Sequence, residues 1–454
     1  MPKKKTALTI EERLQQALVP AEEQPYEVPE NWVWVRLESV ASWGSGGTPS
    51  RKHEEYYNGD ILWIKTGELN NGWIYDTEEK ITDEGLKKSS AKLFPTYSVL
   101  IAMYGATIGK VAILGVPATT NQACACAVCN QSLLYMYLFY YCISQKNVFI
   151  EKGKGGAQPN ISQIILKQHP VPLPPLSEQQ RIVERIEELF AKLDEAKERL
   201  QEVADSFAVR KATILHKAFT GELTKQWRRE NGVGDESWEE KAISDICSSL
   251  KYGTSKKSSD DGEVVVLRMG NLQNGEIDWS NLAYTSDEED IKKYLLKPGD
   301  ILFNRTNSPE LVGKTSIYRG EMPAIYAGYL IKLDYEKNIV VGDYLNYYLN
   351  SSKAKEYYMQ VKTDGVSQSN INAKKIGEFE IPLPTLPEQH EIVRLIDDLL
   401  ARERAAQQAA EQALASIDLM KKSILARAFR GELGTNKASE ASALELLQQV
   451  LAEN

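Results

Sequence analysis

The sequence is poor in the residues that usually carry redox, metal or nucleophilic chemistry. It has five cysteines and four histidines in 454 residues. An odd number of cysteines spread through a long chain does not form a disulfide framework and indicates reduced thiols. Cys124, Cys126 and Cys129 lie in the strand-like run ACACAVC without a second ligand pair nearby, so buried thiols are favoured over a zinc site. The isolated histidines form no metal or nucleophile pattern, and we predict no bound metal.

Long hydrophobic runs are also missing. No stretch approaches the roughly 18 uninterrupted apolar residues of a membrane span, and the first residues lack the apolar core of a signal peptide. We therefore expect a cytoplasmic protein that has no membrane partner. The net charge of −9 argues against a generally basic nucleic-acid coat, although it leaves room for local basic surfaces.

Nucleotide and methyl-transfer motifs are absent as well. The runs GATIGK and ELVGKTS resemble a phosphate-binding loop, but neither meets the G-x-x-x-x-G-K-[ST] spacing. The chain contains no NPPY-type adenine-methyltransferase signature and no glycine-rich loop that opens a βαβ unit. These absences predict a chain that is not an enzyme and holds no cofactor.

An internal duplication is the strongest positive signal. VPLPPLSEQQRIVERIEELFAKL, from Val171, aligns with IPLPTLPEQHEIVRLIDDLLARE, from Ile381, at a constant offset of 210. The alignment runs without a gap to Leu223 and Leu433 and contains 21 identities in 53 positions. Two unrelated amphipathic helices would share apolar spacing but not the flanking PLP, the EQ pair and the terminal AF.GEL. The chain ends also resemble each other weakly, because LQQAL at Leu14 is similar to LQQVL at Leu447.

Each copy predicts one long helix. Ser177 with Gln180, and Thr385 with Glu388, fit a capping box, and Gly221 and Gly431 fit a helix end. About 43 residues at 1.5 Å each give a rod of roughly 60 Å. Apolar residues recur in steps of three and four, as in a coiled-coil seam; in the first copy they are Ile182, Ile186, Leu189, Leu193, Ala196, Leu200, Val203, Phe207 and Ile214, interrupted at Arg210, and in the second Ile392, Ile396, Leu399, Ala406, Ala410, Ala413, Ile417, Met420 and Ile424. The simplest partner for each helix is the other one.

Two strand-rich segments of domain size alternate with these helices. Runs such as DILWIKT and KVAILG in the first, and DILFNRT and KTSIYRG in the second, are separated by Gly, Asn and Pro turns. We predict an α+β protein with two strand-rich α/β domains separated by two long helices packed as an antiparallel coiled coil, with pseudo-twofold symmetry. The expected parts are a helical segment at 1–30, domains at 31–175 and 241–385, and helical spacer regions at 176–240 and 386–454.

These residues resemble a known family. Two divergent domains between similar helices that carry PLPPLSEQQRIV and ILHKAFTGELT, with the opening WGSGGTPSRKHEEYYNGDILWIKTGEL, are similar to the specificity subunit of type I restriction-modification systems. The resemblance covers nearly the whole chain. It implies a non-catalytic subunit that reads a split target in double-stranded DNA and binds two modification subunits. Those subunits would methylate adenine with S-adenosylmethionine, and restriction subunits would join them to cut DNA.

The repeat alone leads to a compatible hypothesis. Two different domains on one rigid spacer suit two unlike half-sites at a fixed separation, so the target is expected to be asymmetric. Two alternatives remain open at this stage. The chain could be a self-contained DNA adenine methyltransferase with undetected motifs, which S-adenosylmethionine binding would reveal. It could also be a coiled-coil adaptor that binds only proteins, in which case loss of the candidate basic residues would not alter DNA recognition.

Candidate DNA-contacting residues in the first domain lie in polar loops. The run GSGGTPSRKH combines glycines, hydroxyls and cations, which suits phosphates and base edges, although a solvated loop uses the same letters. Lys65 precedes TGELNNG, which is more typical of a scaffold turn. The candidates are Ser45, Gly46, Gly47, Thr48, Ser50, Arg51, Lys52, His53, Lys65, Tyr104, Thr107, Lys110, Lys154 and Gln158.

The second domain offers a parallel set. Its candidates are Tyr252, Ser255, Lys256, Lys257, Arg268, Arg305, Asn307, Lys314, Lys362 and Gln368. Arg305 is the preferred base reader, because its planar fork can address guanine O6 and N7 together; the alternative is a salt bridge to Glu310 or Asp300. Asn160 and Asn370 more often cap a following helix than contact bases. The two domains carry 13 basic against 11 acidic and 18 against 20 residues, so we expect weak DNA binding by this chain alone.

Overall fold

The fold was analysed in a computed structural model that describes residues 9–153, 160–366 and 368–453. The chain forms two compact units, one made of Met1–Arg199 with Ala413–Asn454 and the other of Leu200–Gln412. Each unit holds one strand-rich head together with parts of both long helical regions. The mixture of helix and sheet agrees with the predicted α+β class.

The first head follows a short N-terminal helix. The N-terminal helix is Ile10–Ala17 (α1), and the helices of the head are Leu37–Val40 (α2), Asp83–Lys87 (α3), Tyr135–Ser144 (α4), Lys146–Lys152 (α5) and Gln163–Lys167 (α6). Its strands are Val33–Arg36 (β1), Ala41–Ser45 (β2), Tyr57–Ile64 (β3), Trp73–Ile74 (β4), Lys80–Ile81 (β5), Val99–Ala102 (β6), Val111–Leu114 (β7), Thr119–Thr120 (β8), Cys124–Cys129 (β9) and Pro170–Leu173 (β10). One sheet has the order β2-β9-β6-β7-β4, a second has β5-β3-β8, and β1 pairs with β10.

The first helical region is interrupted, whereas a single helix was predicted. Leu176–Asp205 (α7) and Phe207–Phe219 (α8) are separated at Ser206. The Ser206 hydroxyl and the Arg210 guanidinium both donate to the Val203 carbonyl, at 3.0 and 3.1 Å. Side-chain donors that compete for a helix carbonyl weaken the regular bond ladder, which accounts for the break.

The second head repeats the plan of the first. Its helices are Lys225–Asn231 (α9), Ile243–Ile246 (α10), Glu288–Tyr294 (α11), Gly342–Leu349 (α12), Ser352–Val361 (α13) and Ala373–Gly377 (α14). Its strands are Glu239–Ala242 (β11), Cys247–Tyr252 (β12), Val264–Leu267 (β13), Leu272–Gln273 (β14), Glu276–Ile277 (β15), Tyr284–Thr285 (β16), Ile301–Asn304 (β17), Thr306–Asn307 (β18), Thr315–Ile317 (β19), Ala324–Tyr326 (β20), Leu330–Tyr335 (β21), Thr363–Asp364 (β22), Ser369–Asn370 (β23) and Glu380–Leu383 (β24).

Its strand pairing repeats most of that of the first head: β12-β21-β17-β19 corresponds to β2-β9-β6-β7, but among the described residues no strand pairs with β19 as β4 pairs with β7. The main sheet has the order β12-β21-β17-β19, and β11 pairs with β24 as β1 does with β10. The strands predicted at DILWIKT, KVAILG, DILFNRT and KTSIYRG are confirmed as β3, β7, β17 and β19.

The remaining helices are Leu386–Ala428 (α15) and Ala443–Glu453 (α16). α15 is unbroken over 43 residues, as predicted. Gly221 and Gly431 follow α8 and α15 with φ of +75°, a left-handed conformation that confirms the predicted helix ends. In the described part of the chain no helix is long and apolar enough to cross a membrane.

The long helices lie antiparallel within each unit. In the first unit, Arg181 contacts Glu440 and Asp194 contacts Lys421. Residue numbers rise along one segment as they fall along its partner, so the two segments run antiparallel. In the second unit, Arg210 contacts Glu403, and Arg228 contacts Glu388. These contacts confirm the pairing predicted from the repeat.

The seam differs from the prediction in its polar positions. Ile182, Ile186, Ile392, Ile396 and Ile417 are buried as expected. Arg210 occupies a seam position and its Nε lies 2.5 Å from Glu403 Oε2, so an ion pair replaces an apolar layer there. Ala406 and Met420, which were assigned to the seam, are exposed. The interruption at Arg210 was visible in the sequence, but its ion pair with Glu403 was not.

Neither predicted capping box forms at the start of the long helices. Gln180 Nε2 donates to Glu184 Oε1 instead of reaching back to Ser177, which already lies inside α7. Glu388 is fully buried, and its carboxylate accepts from Arg228 rather than from the backbone near Thr385.

The chain ends meet within the first unit. The Arg13 guanidinium in α1 donates to the carbonyl of Leu451 in α16 at 3.2 Å, and the Ala443 amide donates to the Asn31 carbonyl at 3.0 Å. Ala17, Ala443 and Leu447 share one core. The weak resemblance between the two ends therefore marks two helices that pack together.

Candidate DNA interface

Several predicted loops of the first head emerge at one end of its main sheet. Ser45, the last residue of β2, pairs with Ala125, and Ala102, the last residue of β6, pairs with Cys124. Asn121, just before β9, donates to the Ile64 carbonyl at the end of β3. The loops at 46–53, 65–68 and 103–110 thus start from the same end of the sheet. We call these loops the first loop cluster.

The glycines of this cluster serve the fold directly. Gly46 and Gly47 are buried, and the Gly47 amide donates to the Thr120 carbonyl at 2.9 Å. A Cβ on Gly46 would lie 1.8 Å from the Thr120 carbonyl oxygen. Gly47 accepts from Trp63 Nε1 at 2.8 Å. At these two glycines the backbone therefore packs closely against other parts of the protein, whereas the sequence suggested an approach to phosphates.

The cations of the first loop cluster share one counter-ion. Arg51 NH2 and Lys65 Nζ lie 2.7 and 2.9 Å from the two carboxylate oxygens of Glu79. The hydrogen bond from Lys65 holds the pKa of Glu79 below its usual value, and the same bond raises the pKa of Lys65. The Arg51 guanidinium also lies over the Tyr57 ring, 4.3 Å from its centroid. Structure thus brings Arg51 and Lys65 together, a proximity that the sequence did not show.

The other first-domain candidates are placed more openly. Tyr104 is 46% exposed, and the Thr107 hydroxyl donates to its carbonyl at 2.8 Å. His53 stacks on Tyr56 and lies 2.9 Å from Glu55 Oε1. Thr48 donates to Gln122. Thr48, Ser50, Arg51, Lys52 and His53 are exposed, while Ser45, Thr107 and Lys110 are partly buried. Lys154 and Gln158 lie outside the described residues.

The second head gathers its loops at the corresponding sheet end. Tyr252, the last residue of β12, pairs with Ile331, and Asn304, the last residue of β17, pairs with Leu330. β18 then pairs with β23, which brings the loop near residue 306 against the one near residue 369. We call the loops at 253–257, 305–314, 327–329 and 362–370 the second loop cluster.

Arg305 is the centre of the second loop cluster. Its guanidinium lies over the Tyr252 ring, 4.7 Å from the centroid, and its NH1 donates to the Gly328 carbonyl at 3.2 Å. The Arg305 Nε is buried and makes no hydrogen bond to the described residues. Among the described residues Arg305 forms an ion pair with neither Glu310 nor Asp300, and Asp300 lies 3.6 Å from Lys332. The side chain is thus fixed in orientation without a carboxylate partner in the described part of the chain.

The remaining second-domain candidates divide by their partners. Lys256 lies 2.7 Å from Asp287, which raises the lysine pKa, and it is also within 4 Å of Glu289 and Asp290. Lys362 contacts Asp364 at 2.5 Å. Arg268 donates to Asn281, and Lys314 donates to Gln273. Ser255 and Lys257 are exposed, whereas Asn307 is partly buried in β18 and Gln368 is exposed.

Two expectations about these loops need correction. Asn160 and Asn370 do not cap helices; Ser162 and Asn372 do so, two residues later in each copy. Asn370 Nδ2 instead donates to the Thr306 hydroxyl at 2.8 Å.

Tyr329, 49% exposed, was missed by the sequence reasoning, although its carbonyl accepts from the Arg305 amide at 3.0 Å. Its place in an apolar-aromatic run gave no signal of a loop role.

The duplicated EQ pair joins each head to the helices. Gln179 accepts from the Leu134 amide at 2.9 Å and donates to the Ser132 carbonyl at 2.9 Å. Gln389 does the same with Val341 and Ile339, at 2.8 and 3.1 Å. Each glutamine therefore fixes the start of the head helix beside it.

Each preceding glutamate accepts a hydrogen bond from the segment that follows the AF.GEL end of the other copy. Glu178 accepts from Trp32 at 2.7 Å and from Asn436 at 2.9 Å. Glu388 accepts from Arg228 at 2.8 Å and Thr224 at 2.7 Å. The two pairs explain why EQ recurs with the AF.GEL ends.

The phenylalanines of AF.GEL pack on the heads. Phe219 is edge-on to Tyr344 and Tyr348, with centroids 5.4 and 4.9 Å away. Phe429, 1% exposed, is edge-on to Tyr137 and Tyr141 at 5.2 and 5.1 Å. The Phe429 ring is therefore enclosed by the first head.

Known proteins share this organisation. The family model for the type I restriction modification DNA specificity domain matches residues 29–205 and again 235–413. The EcoKI specificity subunit of Escherichia coli K12 is 27% identical over 452 residues, covering 94% of this chain and 96% of the relative. A MjaX specificity subunit of Methanocaldococcus jannaschii, described as putative in its own name, is 35% identical over 175 residues, covering 38% of this chain and 41% of that one.

A solved structure agrees in fold. The HsdS subunit of Thermoanaerobacter tengcongensis matches with a TM-score of 0.65 and 21% identity, covering 90% of this chain and 100% of that one. The two family-model matches each span one head and the helix that follows it, and together they cover most of the chain. The chain therefore belongs to the family of specificity subunits of type I restriction-modification systems.

Proposed function

We propose that the two loop clusters read the two halves of a split, asymmetric target in double-stranded DNA. The observation that carries this proposal is the environment of Arg305. The guanidinium is stacked on Tyr252 and held by one backbone carbonyl through NH1, which leaves the N–H groups of NH2 for a ligand. A pre-oriented guanidinium can donate to guanine O6 and N7 at once, which is the commonest specific contact in the major groove.

The two clusters differ in chemistry, which favours unlike half-sites. The Met103 carbonyl accepts from Ile161 in the first head, just as the Arg305 carbonyl accepts from Ile371 in the second. Met103 therefore occupies the position of Arg305 and offers no such donors. In the first head, we assign the DNA contacts to Tyr104, Arg51 and Lys65 instead.

The remaining cations divide into two groups by their counter-ions. Lys52 and Lys257 are exposed, and we assign them to phosphate contacts, which position a protein without specifying sequence. Arg51, Lys65 and Lys256 are already paired with carboxylates, so a phosphate must replace Glu79 or Asp287. This exchange and the balance of charges support weak binding by the chain alone, in line with affinity supplied by partners.

The partners in this proposal are two modification subunits, which would methylate adenine, and restriction subunits, which would cut DNA, all in the cytoplasm. The paired helices would set the separation of the half-sites, and roughly 60 Å of helix corresponds to something under two turns of duplex. We propose that the two DNA-reading domains extend over residues 31–175 and 241–385. The alternative of a self-contained methyltransferase would require S-adenosylmethionine binding by the purified chain.

The test replaces Arg305 and maps methylation across genomic DNA in cells that also express the modification subunits. Arg305→Ala should lose or relax recognition at one guanine-containing position in one half-site and leave the other half-site unchanged. Arg305→Lys should recover only part of the specificity, since an ammonium cannot donate as a fork. Lys292→Ala, an exposed cation of the same head, is the control. Unchanged methylation in Arg305→Ala would contradict the proposal.

A further inference from the structure

The two heads can be aligned through their hydrogen bonds. The Ile113 amide donates to the Gly72 carbonyl and the Ile317 amide to the Gly275 carbonyl, at 3.0 and 3.1 Å. The residues that follow are thereby matched, so Trp73 corresponds to Glu276 and Gly115 to Arg319. Through the glutamine contacts described above, Met136 corresponds in the same way to Asp343.

In the second head this place holds an exposed guanidinium that is paired with two carboxylates of the same head. Arg319 NH2 lies 2.8 Å from Glu276 Oε1 and 2.7 Å from Asp343 Oδ1. The hydrogen bond to Glu276 is the main cause that raises the arginine pKa above its usual value. A cation is therefore built into this position of the second head.

The first head replaces all three charged groups. Glycine stands where Arg319 does, and tryptophan and methionine stand where the two carboxylates do. A cluster of Trp73, Tyr75, Tyr97 and Tyr135, here called the aromatic patch, surrounds the position. Trp73 is 6.1 Å from Tyr75 and from Tyr97 and 5.9 Å from Tyr135, and Tyr97 stacks on Tyr135 at 4.8 Å.

The aromatic patch faces solvent. Tyr75 is 63% and Tyr97 53% exposed. Tyr97 has a φ of +70°, and its amide donates to the Leu114 carbonyl as the amide of Gly299, with φ of +93°, donates to Tyr318. A bulky residue in a conformation that the sister head gives to glycine is strained. Exposed aromatic rings and backbone strain are typical of ligand-binding and protein-binding sites.

A cavity of about 280 Å³ adjoins the aromatic patch. Its walls include Trp73, Tyr135 and Met136, together with the α7 residues Gln180, Val183 and Glu187. Val183 is buried and supplies an apolar floor, whereas Glu187 is exposed and supplies a carboxylate. A recess that combines aromatic rings, the side chain of Val183 and one carboxylate suits a charged head on an aliphatic stem.

The aromatic patch lies away from the first loop cluster. Trp73 pairs with Ile113, and Tyr97 lies two residues before the start of β6, whereas the loop at 103–110 follows the end of that strand. The patch and the cluster are therefore at opposite ends of the same sheet. The carboxylate of Glu187 would repel a phosphate backbone, which makes nucleic acid an unfavourable occupant.

We propose that the aromatic patch and Glu187 bind an arginine side chain carried by a protein partner. The guanidinium would stack on Tyr75 or Trp73, with its stem over Val183, and would pair with Glu187 as Arg319 pairs with Glu276 inside the second head. The inference rests on the proposed function only in that the modification subunits are the partners expected to carry this arginine.

A direct test uses a short peptide as probe. The full chain, labelled with 5-fluorotryptophan, is titrated with acetyl-Gly-Arg-Gly-amide or acetyl-Gly-Gln-Gly-amide, and the ¹⁹F signal of Trp73 is assigned with Trp73→Phe. The arginine peptide should give a saturable shift and the glutamine peptide none. Tyr75→Ala and Glu187→Gln should each reduce the shift at a given peptide concentration several-fold. Tyr75→Phe, which keeps the ring, and Glu198→Gln, elsewhere on α7, should retain it. Equal responses to the two peptides would overturn the proposal.

Tyr97→Gly separates binding from stability. The substitution relieves the positive-φ strain, so the thermal midpoint should not fall, but the peptide response should weaken. A lower midpoint with an unchanged peptide response would show that Tyr97 is structural and would overturn its role here.

The assembled complex provides a second readout. With co-expressed modification subunits, Tyr75→Ala and Glu187→Gln should weaken assembly several-fold, while Tyr75→Phe should not. If those variants assemble and direct methylation normally, this inference fails and the proposed function stands. If the unaltered chain does not assemble with the modification subunits, the proposed function fails and the peptide titration alone decides the inference.

Discussion

The ring of Phe429 stands edge-on to the ring of Tyr137, with centroids 5.2 Å apart and planes inclined by 78°. Phe429 ends the second long helix, yet Tyr137 belongs to the first head. The first head is therefore completed by the end of the second long helix. Phe219 has the corresponding contact with Tyr344 in the second unit.

Phe429→Ala should destabilise the first unit by about 3 to 5 kcal/mol, the usual cost of removing a fully buried phenylalanine. Phe219 is only partly buried, so Phe219→Ala should cost less. Hydrogen exchange resolves the two units, and we expect Phe429→Ala to lower protection in Tyr135–Ser144 while Gly342–Leu349 keeps its protection. Equal loss of protection in both helices would contradict this assignment.

Replacement of Glu388 should cost more than replacement of Glu178. Glu388 is paired with the buried Arg228, whereas the hydrogen-bond partners of Glu178 are neutral groups of Trp32, Thr435 and Asn436. Loss of a charge from a buried ion pair costs about 3 kcal/mol or more, and loss of a hydrogen bond to a charged group about 1.5 to 3. Urea unfolding of Glu388→Gln and Glu178→Gln measures the difference; a larger loss in Glu178→Gln would refute it.

His169 should make the first unit sensitive to acid. Burial lowers its pKa to about 3, helped by Lys152, whose Nζ lies 3.2 Å from the ring Nδ1. Because the unfolded chain has the higher pKa, near 6.5, it binds a proton first as the pH falls. The stability that this group contributes is complete above pH 6.5 and is lost progressively toward pH 3.

The slope for one such group is about 1.4 kcal/mol per pH unit. We expect urea unfolding of the wild-type chain at pH 7, 6 and 5 to show this loss in addition to that of the carboxylates. His169→Asn should remove it, so the stability difference between the two proteins should shrink as the pH falls. A difference that stays constant would mean that His169 does not titrate in this way.

Gly46 should tolerate no side chain, because the added Cβ would overlap the Thr120 carbonyl oxygen at 1.8 Å. Gly46→Ala should therefore cost several kcal/mol, on the scale of a severe packing defect. Gly67, in the nearby TGELNNG turn, has no atom within 4 Å of its added Cβ, so Gly67→Ala is the matched control. Thermal unfolding of both variants checks this; equal midpoints would show that the loop moves freely.

Local pattern was sufficient for the repeated parts of the fold. Steps of three and four apolar residues identified the long helices, and Gly221 and Gly431 marked their ends because a left-handed residue without Cβ stops a helix. The scaffold turn at TGELNNG was also recognised: the Lys65 amide donates to Glu68 at 2.8 Å, and the Arg268 amide donates to Asn271 in the same way in the second head, at 2.9 Å.

The candidate site was predicted at the level of loops rather than atoms. Tyr252 and Arg305 were both named, but their stacking depends on strands β12 and β17 ending beside β21. The pairing of Lys256 with Asp287 could not be foreseen, because the two residues are 31 positions apart and no local pattern relates them. Counter-ions of this kind decide which cations are free to bind phosphate.

By itself the sequence determined a duplicated chain, its long helices, its strands and the family to which it belongs, since these depend on periodicity and on motifs repeated at a fixed offset. Only the tertiary structure decided which copy completes which head, why Glu178 and Glu388 are buried, and where the aromatic patch lies. Those relationships join residues hundreds of positions apart, and they are fixed by packing and by satisfying buried polar groups, which no local pattern encodes.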